Sequence, residues 1–93
     1  MKATIKATDK LFGKSIEVEC TIRKDAAPEG ELLYNARKKA IREQIIRELR
    51  LSFGEAKLEL ISYGRVIAVG TMTNNVFGGG GNITAKPCTP YAA

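Results

Sequence analysis

The stretch Ile16-Glu17-Val18-Glu19-Cys20-Thr21-Ile22-Arg23 places an apolar side chain at every second position and a polar one between each pair. Successive side chains of a strand point to opposite faces, so this alternation reads as a strand with one buried and one wet face. Upstream, Ala3, Ile5 and Ala7 alternate with Thr4 and Lys6, a second and shorter strand over Lys2 to Thr8. The connection from Asp9 to Lys14 has hairpin length, and Gly13 offers the positive φ that such a turn uses. Leu11 and Phe12 within it are expected to plug one end of the core.

Downstream the period changes. After a loop from Asp25 to Gly30, the chain is rich in helix formers from Glu29 or Glu31 to Leu51, with no proline and no glycine after Gly30. Pro28 and the early acids Asp25, Glu29 and Glu31 suit a helix start. Read as one long helix at 3.6 residues per turn, Tyr34, Ile41, Ile45 and Leu49 share an arc of about 80° and form the expected core stripe. Leu33, Ala36 and Ala40 broaden that stripe, and Gly54 stands where a cap would be. Ala56 to Ser62 and Arg65 to Thr73 then read as a second hairpin, turned by Tyr63 and Gly64.

The predicted fold is therefore α+β: a four-stranded, mainly antiparallel sheet of order β-β-α-β-β with one long helix packed on one face. Residues 1–76 would form the compact domain. Residues 77–93, which contain Gly78 to Gly81, Pro87 and Pro90, would be a flexible tail or a loosely attached edge segment. One helix covers about 10 Å of a sheet that four strands make about 15–19 Å wide, so a homodimer that hides the remaining apolar surface is expected.

Composition bounds the function. The 93 residues, 44% hydrophobic and 27% charged, suit a single ordinary globular domain. No apolar run approaches the ~20 residues of a membrane span, and the N-terminus has no signal-like core, so a cytoplasmic protein without membrane contact is expected. Cys20 and Cys88 would then be free thiols, Cys20 as a small buried hydrophobe.

Catalytic templates find little here. There is no histidine, the commonest general base and metal ligand. Two cysteines without CxxC spacing cannot build a structural zinc site. Glu17 and Glu19 lie about 6–7 Å apart on one strand face, a separation that an ordinary wet face also produces. Gly78 to Gly81 lacks the lysine, the hydroxyl and the following helix of a phosphate loop. The chain is read as a non-enzyme with no cofactor, no metal and no catalytic residue.

What remains is charge. The formal net charge is +5, and Lys39, Arg42, Glu43, Ile46, Arg47 and Arg50 occupy the helix face opposite the core stripe, with Arg37 and Lys38 at its shoulders. Ile46, an aliphatic residue among bases, suggests an anchor for a partner. The chain is therefore expected to be a small interaction module that binds a protein or nucleoprotein partner through Lys39, Arg42, Ile46, Arg47 and Arg50. The alternative is sequence-nonspecific binding of nucleic acid, with phosphates held by the same face. In size and lack of motifs the chain is similar to the small inhibitors that bacteriophages direct at host machinery, a likeness that no motif carries.

Overall fold

A computed structural model of the chain describes residues 1–50, 54–74 and 82–88. The order of elements is β1 (Lys2–Asp9), β2 (Ser15–Thr21), α1 (Pro28–Ala36), α2 (Lys39–Leu49), β3 (Gly54–Ser62), β4 (Arg65–Asn74) and β5 (Ile83–Pro87). The strands form one antiparallel sheet in the order β2-β1-β3-β4-β5. The α+β class is as read from the sequence. Among the described residues the count of elements differs, with five strands for four and two helices for one.

Register explains the core. Ile5 sits opposite Val18 on one side and Leu60 on the other, and Leu60 in turn sits opposite Ala68. Ala7, Leu58 and Gly70 form the next row, and Ala56, Met72 and Ile83 the one beyond. Ile5, Leu58, Leu60 and Met72 are fully buried under the helices together with Leu32 and Ile45. Each such side chain contributes about 1.5–3 kcal/mol relative to leaving it in water.

The long helix breaks at Lys38, which is extended at φ −62° and ψ 132°. No proline or glycine causes this. The two-helix layer matches the width of the sheet: five strands span roughly 19 Å and one helix covers about 10 Å. Broken, α1 lies on β4 and β5, with lesser contact to β3, while α2 lies on β2 and β1. The apolar face that the homodimer expectation left open is thus shared between two helices, and the width argument for a second copy lapses.

The break also resets the helical phase. Ile45 and Leu49 are buried and Ile41 is half-buried, as the stripe required, but Tyr34 is 62% exposed. Leu32 and Ala36 take its place, with Glu31 and Asn35 buried beside them. Asn35 Nδ2 donates to the carbonyls of Thr21 (3.1 Å) and Glu31 (2.9 Å), which ties the end of α1 to the end of β2. α2 is closed by Arg50 in the left-handed region, φ 53° and ψ 45°, whereas Gly54 opens β3 and caps nothing.

Both hairpin turns are defined. Tyr63 and Gly64, at φ 51° and 75°, make the two-residue turn whose twist matches antiparallel strands. In the β1–β2 turn, the Asp9 carboxylate accepts the backbone N–H of Leu11 (3.0 Å) and Phe12 (3.3 Å), and its carbonyl accepts that of Gly13 (2.9 Å). This clamp turns Leu11 and Phe12 outward, 78% and 83% exposed, so they do not plug the core.

β5 lies inside the segment expected to be a flexible tail or a loosely attached edge segment. It pairs with β4 from Met72↔Ile83 to Ala68↔Pro87, and Ile83 and Ala85 pack against the core. Gly70 allows the approach: a Cβ there would run into the Thr84 carbonyl. The proposed boundary at residue 76 and the glycine run lie outside the described residues.

Candidate partner-binding surface

α2 positions the predicted surface. Lys39, Arg42, Ile46 and Arg50 fall within an arc of about 80° at 3.6 residues per turn, and Arg47 lies about 60° further round. Lys39, Arg47 and Arg50 are exposed and Arg42 is half-buried. Ile46 departs from the expectation: it is half-buried and packs against the core from the shoulder of the helix, so it is not an isolated exposed anchor. At 3.6 residues per turn it stands about 60° from the buried Leu49, on the shoulder of the core stripe and not opposite it.

Charge is unevenly distributed. Residues 37–50 carry six Lys or Arg against two Glu, while the rest of the chain carries nine against eight. On the sheet face away from the helices, Lys6 stands in register with Glu17 and with Glu59, so the carboxylates there alternate with bases. That pattern explains Glu17 and Glu19 without a metal. Among the described residues, no three His, Cys, Asp or Glu side chains come together as a metal site. The described positions of that face, from Thr4, Lys6 and Thr8 across to Thr84 and Lys86, include no aromatic side chain on which a base could stack.

The thiols match their surroundings. Cys20 is free and buried, and burial pushes its pKa up, which keeps it protonated and unreactive. Cys88 is free and half-buried. Glu31 is held below the usual carboxylate range, first by its hydrogen bond from the Arg23 side chain. It belongs to the α1 anchorage and lies apart from the basic flank.

Two grooves lie at opposite ends of the sheet. One, of about 460 Å³, is bordered by Met1, Ile22, Glu31, Ser62 and Cys88; Ser62 Oγ is buried with no hydrogen-bond partner. The other, of about 550 Å³, runs between the β1–β2 turn and the end of α2, and its lining includes Leu11, Phe12, Leu49, Arg50 and Glu55. It joins the exposed Leu–Phe pair to the basic helix. The sequence reading missed this junction, although Lys10 and Lys14 bracketing the pair were a signal that it faces water.

Among the described residues no helix is long and apolar enough to cross a membrane. Searches of protein-family models, curated proteins and solved structures found no match to this chain.

Proposed function

We propose that the chain is a non-enzymatic interaction module that docks on an acidic protein or nucleoprotein partner through the flank of α2 formed by Lys39, Arg42, Arg47 and Arg50. The observation that carries this reading is the segregation of charge: the positive excess is concentrated in residues 37–50. A clustered field of one sign steers an oppositely charged partner and orients it on arrival. Ile46, leaning into the core, supports the helix from below.

A second reading, nonspecific binding of nucleic acid, draws on the same inward lean of Ile46, which leaves mainly charged and polar groups facing outward. A phosphate track needs little else. Fluorescence anisotropy with an arbitrary DNA duplex separates the two. Nucleic-acid binding predicts an affinity that falls steeply with salt, and alanine substitution of the four bases should flatten the log-log slope by about 0.9 for each phosphate they had neutralised. No duplex or single-strand binding at low salt removes this second reading. Charge reversal at Lys39 and Arg42 that leaves binding of a host partner intact removes the first.

A further inference from the structure

We propose that the β1–β2 turn is a surface anchor for an anionic bilayer: Leu11 and Phe12 enter the headgroup region while Lys14 and Arg50 meet the lipid anions. The first ground is exposure. Leu11 and Phe12 are adjacent, 78% and 83% exposed, and stand at the apex of a hairpin. The Asp9 carboxylate holds the backbone N–H groups of both, so the pair is presented without an ordering step on binding.

Charge and area select the occupant. Lys14 follows the pair in sequence, and Arg50 faces it across the 550 Å³ groove. Of the carboxylates nearby, Asp9 is turned inward as the clamp and Glu55 is paired with Lys10 at 2.8 Å. A second copy docked tip to tip would oppose these cations with their like. The two side chains offer roughly 300–400 Å² of apolar surface, well below the ~800 Å² per partner of a standard protein interface. A fluid bilayer needs no shaped counterpart, and a few apolar side chains backed by bases suffice for reversible attachment. A nucleic-acid strand fits less well, because Leu11 has no π face and the sheet continues no stacking track.

The chain has no tryptophan, so Phe12→Trp introduces a single reporter. With phosphatidylcholine vesicles containing phosphatidylserine, the indole should shift to the blue and be quenched by brominated acyl chains, with a much smaller response to phosphatidylcholine alone. In co-sedimentation of the otherwise unchanged chain, Leu11→Ser with Phe12→Ser should weaken binding about tenfold or more, circular dichroism remaining unaltered. An indole that stays in water with anionic vesicles at low salt overturns the proposal. So does vesicle binding that survives the double serine change but is abolished by alanine substitution of Lys39, Arg42 and Arg47, a result that assigns the attraction to the α2 flank and leaves the proposed function standing. A shift that follows protein concentration without lipid, or one induced only by an oligonucleotide, reassigns the tip to a second copy or to a strand and overturns it equally.

Discussion

Glu31, buried in the first turn of α1, accepts two hydrogen bonds from Arg23 on one oxygen: the backbone N–H reaches Oε1 at 3.0 Å and the side-chain Nε at 2.9 Å. Arg23 follows β2 closely and its own side chain is largely in water. The contact therefore joins the start of the helical layer to the end of an edge strand.

The Arg23 hydrogen bond lowers the pKa of Glu31 in the fold. A group whose folded pKa is depressed contributes stability above its unfolded value, about 4.3, and loses that contribution as pH falls through the folded value. Glu31→Gln should cost about 1–2 kcal/mol at neutral pH, the exposure of Arg23 keeping it modest. Urea melts should show the gap to the unchanged chain closing below pH 4 or so. A gap that stays constant into acid would mean that the carboxylate's charge contributes nothing.

Gly70→Ala should push β5 away from β4, because the added methyl meets the Thr84 carbonyl. Overpacking of this kind costs about 1–3 kcal/mol. Hydrogen exchange should speed up at Thr73 and Cys88, whose N–H groups donate to Asn82 and Ile67 across that edge. Amides of β1, two strands away, should hold their protection.

Ending the chain at residue 81 should lower the melting temperature by about 10 °C or more. β5 covers the fully buried Met72 and contributes Ile83 and Ala85 to the core, an apolar loss on the order of 3 kcal/mol. Composition alone, with its glycines and prolines, argues for no change at all. A differential scanning experiment decides between the two.

Arg50→Gly should raise stability by about 0.5–1 kcal/mol, since glycine adopts the left-handed cap that an arginine side chain resists. The same change removes a cation from the proposed binding flank. Stability and binding should therefore move in opposite directions, measured by thermal melt and by salt titration of affinity.

The strands were legible because alternation needs only one buried face: Ile5, Val18 and Leu58 announce themselves locally. The helix break was not. No proline or glycine between Glu31 and Arg50 marks it, and the two-helix layer matches a sheet width set partly by β5. β5 was in turn obscured by the glycines before it, while the residue that admits it, Gly70, lies on another strand. Leu11 and Phe12 were assigned to the core on hydrophobicity, but the hydrogen bonding of Asp9 decides their direction. The basic flank was visible as composition, and the inward lean of Ile46 was readable from its place about 60° from Leu49 on the wheel.

β2 lies at the margin of the sheet and pairs only with β1 among the described strands. A margin of this kind is a template for further chains, and clumping begins at such places. Here Glu17 and Glu19 stand two residues apart on it. Two molecules meeting antiparallel along β2, in the register centred on Val18, would set each Glu17 against the other molecule's Glu19, and like charges directly opposite repel. The same carboxylates that look idle as chemistry thus discourage the molecule from zipping to its own kind, leaving that margin open to a strand of opposite charge.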